Sequence, residues 1–121
     1  MAFSYPSSPE MSDETQTVRQ DILVYCSLLA ERYQPLRITL FGSHAKGTAH
    51  THSDVDLLVE MNRVQSGLSL AAEMIRETQP RFAIDLLVRT PQQVQERIQL
   101  GDPFIAEVVR DGKVLYEHAH G

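Results

Sequence analysis

Three short apolar runs alternate with segments that have the spacing of helices, and this alternation most constrains the fold. The runs are LRITLF at 36–41, DVDLLVE at 54–60 and FAIDLLV at 82–88. Each is short and rich in apolar side chains, as strands are. A weaker run from Val114 to Tyr116 predicts a short edge strand. We therefore expect an α/β (α+β) fold: a single small domain with one mixed β-sheet and helices packed mainly on one face.

A first amphipathic helix is predicted from about residue 13. Apolar residues recur at three- and four-residue steps from Val18 to Tyr33, and Pro35 ends the pattern because a residue before proline avoids the helical conformation. The preceding segment is rich in serine and proline and lacks periodicity. We expect a flexible N-terminal tail at 1–12, one domain at 13–117 and a C-terminal tail at 118–121.

Two later helices are predicted from their starting signals. Thr90 precedes a proline and is followed three residues later by Gln93, which is the pattern of a capping box. Asp102 also precedes a proline. Gly112 fits the left-handed conformation with which such a helix commonly ends.

The composition excludes several classes of protein. The 121 residues carry 11 basic and 16 acidic side chains, a net charge of −5, so we expect no direct binding to nucleic acid, which needs a basic surface. No apolar run reaches the roughly 18 residues of a membrane span, and the N-terminus lacks a secretory signal. The single cysteine, Cys26, excludes an internal disulfide and fits a reducing cytoplasm. Its place on the apolar stripe predicts a core residue.

The turn at Gly42-Ser43 is a candidate anion site. It follows the first predicted strand, and glycine lets the backbone turn sharply and lets another group approach closely. A short helix beginning at Ser43 would direct free N–H groups at a phosphate, and Lys46 would add a cation one turn later. An ordinary turn with a helix cap explains the same dipeptide when it is taken alone.

Two aspartates on the second strand indicate a metal site. Asp54 and Asp56 are two residues apart, so their carboxylates project from the same face. Like charges so close repel each other, and a divalent cation that binds both removes that cost. Carboxylate oxygens are preferred ligands of Mg²⁺. The alternative is that both aspartates cap a solvated strand end.

A third carboxylate is predicted at the same place. Asp85 lies between apolar residues of the third strand, on the face opposite Ile84 and Leu86. If the second and third strands are neighbours, Asp85 joins Asp54 and Asp56. Three carboxylates can hold two cations about 3.5–4 Å apart, the spacing used for in-line phosphoryl displacement. A structural aspartate at an open strand end is the alternative.

These residues carry a family resemblance. The segment FGSHAKGTAHTHSDVDLLV resembles the Gly-Ser-x10-Asp-x-Asp signature of the DNA-polymerase-β-like nucleotidyltransferase superfamily. The small size resembles its minimal nucleotidyltransferases (MNT domains), over about residues 36–116. The resemblance implies the polymerase-β-like fold with ATP as substrate. It also implies that Gly42 and Ser43 hold the triphosphate. Asp54 and Asp56 would bind both of two Mg²⁺ ions, and Asp85 would bind one of them. Lys46 stands where such proteins often carry arginine and is expected at the phosphates.

The resemblance also implies a partner. Many MNT proteins are paired with a HEPN ribonuclease in toxin–antitoxin modules, as antitoxins that transfer AMP from ATP to a tyrosine of the toxin. This chain shows no room for an acceptor-binding domain, so we expect the acceptor to be another protein, in a hetero-oligomer or completed by a homodimer. Two alternatives are a non-catalytic antitoxin that acts by contact and a small-molecule nucleotidyltransferase. The acceptor, the nucleobase, the number of nucleotides added and the oligomeric state stay open.

Three histidines of the loop between Ser43 and Asp54 offer a weaker alternative. His44, His50 and His52 could suggest zinc, but the loop provides no fourth ligand and the spacing is unsuited to one. We interpret them as solvent-facing loop residues.

Overall fold

The helices and strands follow one another in the predicted order over the residues that the computed structural model describes, which are 13–50 and 53–118. The helices are α1 (Asp13–Tyr33), α2 (Ser43–Lys46), α3 (Gly67–Thr78), α4 (Pro91–Gln99) and α5 (Pro103–Asp111), and the strands are β1 (Arg37–Phe41), β2 (Val55–Glu60), β3 (Ile84–Arg89) and β4 (Lys113–Glu117). The predicted tail at 1–12 and residues 119–121 of the C-terminal tail lie outside the described residues. No helix in the described part of the chain is long and apolar enough to cross a membrane.

The four strands form one mixed sheet in the order β3-β2-β1-β4. β1 runs antiparallel to β2 and to β4, whereas β2 and β3 are parallel. A parallel pair needs a crossover connection, and α3 provides it between β2 and β3. The sheet therefore places β3 at one edge and brings the second and third predicted strands together.

Helices lie on both faces of the sheet, with the larger core on one of them. Leu57 of β2 packs with residues of α1 and α3, the two longest helices, whereas its neighbour Leu58 points the other way. Leu58 packs with Val94 of α4 and with Ile105 and Val108 of α5. The α1–α3 face is thus the main core, and α4 and α5 cover part of the second face.

The α1 stripe confirms the prediction for Cys26. Ile22, Cys26 and Leu29 are fully buried and Tyr25 is nearly so, whereas Val18 at the start of the stripe is exposed. Burial raises the pKa of the Cys26 thiol to about 12. The thiol is therefore neutral near physiological pH, which suits a core side chain and not a nucleophile.

The predicted helix starts are confirmed, but the prediction for Gly112 is wrong. Thr90 and Gln93 form a complete capping box, and the Asp102 carboxylate accepts hydrogen bonds from the first turn of α5. Gly112 has φ −68° and ψ 161°, an extended conformation open to any residue. Its constraint is space, because a Cβ there would lie 2.6 Å from Thr39 Cγ2 and would overlap the Val108 carbonyl oxygen. Glycine therefore lets the backbone lie close to Thr39 and Val108 where α5 leads into β4.

Replacing Glu60 with glutamine is expected to flatten the dependence of stability on pH. Glu60 is 6% exposed and lies 3.7 Å from the Arg37 guanidinium. Burial raises its pKa, although Arg37 opposes the shift. A raised pKa favours the neutral acid in the fold, so this stabilisation is present below the unfolded pKa of about 4.3 and is lost as the pH rises through the folded value. Denaturant unfolding at pH 4 and pH 7 measures this.

Relative to the wild type, the glutamine variant should become more stable as the pH rises from 4 to 7. If Glu60→Gln instead lowers the free energy of unfolding more at pH 7 than at pH 4, the ion pair with Arg37 outweighs the cost of burying Glu60.

Candidate functional site

The turn after β1 has the geometry that its sequence predicts. Gly42 has φ 75° and is the N-cap of α2, and its carbonyl oxygen accepts hydrogen bonds of 3.1 Å from the N–H groups of Ala45 and Lys46. The preceding N–H groups, of Ser43 and His44, belong to the first turn, which has no intrahelical acceptors. N–H groups in this position can donate to an anion.

Asp56 packs against this turn. A Cβ on Gly42 would overlap the Asp56 Oδ2 atom, so only glycine lets the carboxylate lie so close to the backbone. This contact joins the end of β1 to the start of β2, where Phe41 and Asp56 are register partners. The candidate phosphate turn and the candidate metal ligand therefore form one unit.

Asp85 lies beside Asp56, as predicted. The two are register partners in the parallel pair β2–β3, and both lie on the face of Leu58 and Leu87. Asp56 is half-buried, whereas Asp85 is exposed at the edge strand. A row of groups thus crosses the end of the sheet from Phe41 through Asp56 to Asp85.

The electrostatics of this row favour a cation. The pKa of Asp56 is raised above its ordinary value, first by burial and then by the negative charges of Asp85 and Asp54, while His44 opposes the shift. The charges of Asp85 and Asp54 therefore disfavour the ionised form of Asp56, and a hard divalent cation is the ligand that relieves this. The donor set therefore fits Mg²⁺ in kind.

The predicted trio is only partly brought together. Asp54 is exposed in the loop before β2, so Asp56 and Asp85 form the paired core of the site and Asp54 flanks it. Among the described residues, no group of three or more His, Cys, Asp or Glu side chains is arranged to hold a metal ion. The pair would need a ligand from the loop or from the substrate to complete a coordination shell.

A cavity of about 290 Å³ opens over this row, and its far wall is α5. The sheet side provides Gly42, Asp56 and Asp85. The α5 side provides Phe104, Glu107, Val108 and Asp111. Among the residues that the structure describes, four carboxylates and the ammonium group of Lys46 line it, so a phosphate-bearing ligand would be repelled unless it carries its own cations.

The contribution of α5 is absent from the sequence prediction. Phe104, Glu107 and Asp111 recur at helical spacing and share one side of α5, so the sequence does show which residues of this helix act together. It could not be interpreted without knowing that α5 lies across the end of β1. Lys46 lines the cavity, and its Nζ donates to Glu107 Oε1 at 2.9 Å.

His44 has a structural contact of its own. Its Nε2 lies 3.2 Å from the Ser53 carbonyl oxygen, and the N–H of His50 donates to Ser53 Oγ at 2.9 Å. These bonds join the start of α2 to the residue before Asp54, so they help to place that carboxylate. His52 lies outside the described residues, and His44 is half-buried rather than solvent-facing.

Comparisons with known proteins agree with this geometry. Residues 27–116 match the family described as a nucleotidyltransferase domain. The crystal structure of a candidate nucleotidyltransferase from Sulfolobus solfataricus is similar, with a TM-score of 0.61 at 17% identity over 94% of this chain and 96% of that one. A crystal structure of a toxin–antitoxin with AMP-PNP gives a TM-score of 0.52 at 22% identity, over 78% of this chain and 73% of that one.

At these identities the two structures establish a shared fold. No protein with a curated description matches this chain.

Proposed function

Because this chain belongs to the nucleotidyltransferase domain family, we propose that it is an Mg²⁺-dependent enzyme that transfers AMP from ATP to a hydroxyl group of another protein. The proposed acceptor is a tyrosine of a HEPN ribonuclease toxin, which the modification would silence, so that this chain acts as the antitoxin. The register pairing of Asp56 with Asp85, next to the Gly42 turn, is the observation that carries the proposal.

Each predicted residue has a role in this reaction. Gly42 and Ser43 would bind the triphosphate through the N–H groups of the turn, and Lys46 would bind a phosphate oxygen. Asp54, Asp56 and Asp85 would hold two Mg²⁺ ions. When bound, these ions would activate the attacking oxygen and stabilise the leaving pyrophosphate.

A protein acceptor is supported by two observations. The chain has a net charge of −5, which disfavours nucleic acid as the acceptor. A toxin–antitoxin structure with AMP-PNP shares its fold. The buried thiol Cys26 is consistent with a cytoplasmic location, which belongs to the same proposal.

The decisive experiment is incubation of the chain and its co-purified partner with Mg²⁺ and ATP labelled at the α-phosphate. We expect the label on the partner, whose mass should rise by whole AMP units. ATP labelled at the γ-phosphate should leave the partner unlabelled. Label from the γ-phosphate would indicate phosphoryl transfer, and no label from either would contradict the proposal.

A non-catalytic antitoxin is the second candidate, favoured by the absence of a ready three-ligand metal group among the described residues. It would neutralise its toxin by contact alone. A double variant, Asp54→Asn with Asp56→Asn, separates the two candidates in a toxicity assay. Full neutralisation by this variant would support the contact mechanism, and loss of neutralisation with binding retained would support catalysis.

Replacing Glu107 with glutamine is expected to tighten binding of Mg²⁺–ATP. Glu107 bonds the Lys46 ammonium at 2.9 Å and raises its pKa, so a phosphate oxygen must compete with Glu107 for that cation. Both side chains are about half exposed, and exposed ion pairs are weak, so the gain should be no more than about fivefold. Calorimetric titration measures the Kd.

Lys46→Met should weaken the same binding, and the double variant should resemble Lys46→Met alone. A gain from Glu107→Gln that persists without Lys46 would show that Glu107 acts through general repulsion and not through this ion pair.

A further inference from the structure

The order of these groups across the sheet indicates the side from which the acceptor approaches. The turn at Gly42 follows β1, Asp56 lies on β2 and Asp85 on the edge strand β3. With adjacent strands about 4.8 Å apart, Asp85 is about 10 Å from the strand that carries the turn. In an in-line displacement the attacking and leaving oxygens lie on opposite sides of the phosphorus. If pyrophosphate leaves at the Gly42 turn, the acceptor must arrive from the side of β3.

A groove lies on that side. It has a volume of about 530 Å³ and is lined by the start of α3, the second half of β3, and residues of α4 and α5. We call it the acceptor groove, defined by Gly67, Leu68, Leu87, Arg89, Glu96 and Phe104. Leu87 is two residues beyond Asp85 on the same face of β3, about 7 Å along the strand.

The acceptor groove and the nucleotide cavity share one wall. Phe104 lines both, and its ring meets that of Phe41 edge-on, with centroids 5.8 Å apart. Phe104 is nevertheless 51% exposed. A ring held in this way and half open to solvent can pack against a second aromatic ring at modest entropic cost.

The lining of the groove combines apolar side chains with polar ones whose charges are partly neutralised. Leu68 is 85% exposed at the first turn of α3, beside the half-buried Leu87. Among the polar residues of the lining, Arg97 and Asp102 neutralise each other at 2.9 Å, the Arg89 guanidinium donates to the Val88 carbonyl oxygen, and Gln93 and Glu96 are the remaining members. An exposed apolar surface continuous with a reaction site is a typical interaction surface.

We propose that the acceptor groove binds a segment of the protein acceptor in which the reactive tyrosine is flanked by aliphatic side chains, with the tyrosine ring against Phe104 and its hydroxyl directed toward Asp85. This inference rests on the proposed function. The tyrosine oxygen forms a bond to the α-phosphorus, the bond from that phosphorus to pyrophosphate breaks, and the hydroxyl proton is released to solvent. An aromatic acceptor is favoured over serine because Phe104 offers a ring surface.

Nuclear magnetic resonance with defined peptides tests the proposal on the full chain. The probe is acetyl-Leu-Tyr-Leu-amide, titrated in the presence of Mg²⁺ and an ATP analogue with a methylene bridge between the α- and β-phosphates, which cannot transfer AMP, and acetyl-Glu-Tyr-Glu-amide is the matched control peptide. We expect the leucine peptide to shift the amide signals of Leu68, Leu87 and Phe104, and the glutamate peptide to bind more weakly. Shifts that map elsewhere, or no saturable shift, would overturn the proposal.

A pair of variants adds a second readout. Leu68→Glu is tolerated by the fold, because an acidic residue suits the first turn of a helix, and it should weaken the leucine peptide by about tenfold. Leu100→Glu makes the same change at a leucine that is 76% exposed and outside the groove, and should leave binding unchanged. Equal effects of the two variants would contradict the groove assignment.

Titration with Mg²⁺ and the same ATP analogue alone separates the two levels of inference. If the nucleotide does not bind, the proposed function fails and the groove proposal fails with it. If the nucleotide binds normally to both variants but the peptide does not bind in the groove, the groove proposal alone is contradicted.

Discussion

Replacing Asp56 with asparagine is expected to abolish nucleotide transfer and, without metal, to raise the melting temperature of the protein. The Asp56 carboxylate packs against Gly42 and is the register partner of Asp85. Asparagine keeps this shape but removes the negative charge that would hold a cation. We expect the transfer rate to fall by on the order of 10⁴-fold, as for loss of other central catalytic groups.

The stability effect follows from the pKa of Asp56. Burial, then the charges of Asp85 and Asp54, raise it, so the fold favours the neutral acid. That contribution is present below the unfolded pKa of about 3.9 and is lost as the pH rises through the folded value. At pH 7 the ionised carboxylate therefore opposes folding, and asparagine removes this cost.

Thermal unfolding in the presence of a chelator measures the gain. Asp21→Asn is the matched control, because Asp21 is an exposed aspartate on α1, away from the site. It should change neither the melting temperature nor the transfer rate appreciably. An Asp56→Asn variant with wild-type transfer would refute the role assigned to this residue.

Replacing Gly42 with alanine is expected to lower both the stability of the protein and the rate of nucleotide transfer. Gly42 has φ 75°, and the added Cβ would overlap Asp56 Oδ2. With ψ −155°, this backbone conformation lies outside the left-handed helical region and is essentially restricted to glycine, so it alone costs about 1–3 kcal/mol for a residue with a Cβ. Displacement of the Asp56 carboxylate should also reduce the transfer rate by about 10²-fold, since misplacement by about 1 Å has effects of that size.

Gly47 provides the control for this change. It also has a positive φ, 78°, but its ψ of 16° places it in the left-handed helical region, and an added Cβ would meet nothing within 4 Å. Gly47→Ala should therefore lower the free energy of unfolding by about 1–2 kcal/mol, less than Gly42→Ala does, while leaving transfer nearly intact. Equal rates for the two alanine variants would show that the contact between Gly42 and Asp56 has no catalytic importance.

The placement of Asp85 was predictable because strand geometry has a simple period. Apolar side chains on both sides of Asp85 put it on the face opposite Ile84 and Leu86, and the period of two is the same in every strand. The remaining condition was that β2 and β3 be neighbours, and the sheet order confirms it. The family and the mixed sheet were predictable for the same reason, since motif and pattern are local.

The wall formed by α5 was not predictable, because its position depends on packing across the sheet. The spacing of Phe104 and Glu107 shows which residues share a side of the helix, but not what that side faces. Burial of Ile105 and Val108 against Leu58 determines the orientation. Gly112 was misassigned for a related reason: its constraint comes from Thr39, a residue distant in sequence.

The pairing of Asp56 with Asp85 also has a consequence for how the sheet assembles. A slip of one residue between β2 and β3 would turn Asp85 toward the apolar core beneath α1 and α3, and would move Leu86 into solvent. Burying an unpaired carboxylate in that core is strongly unfavourable. Misaligned chains are therefore disfavoured by the same charge that the proposed reaction would use. A folded molecule with this sheet in place already has its second and third carboxylates aligned, before any nucleotide arrives.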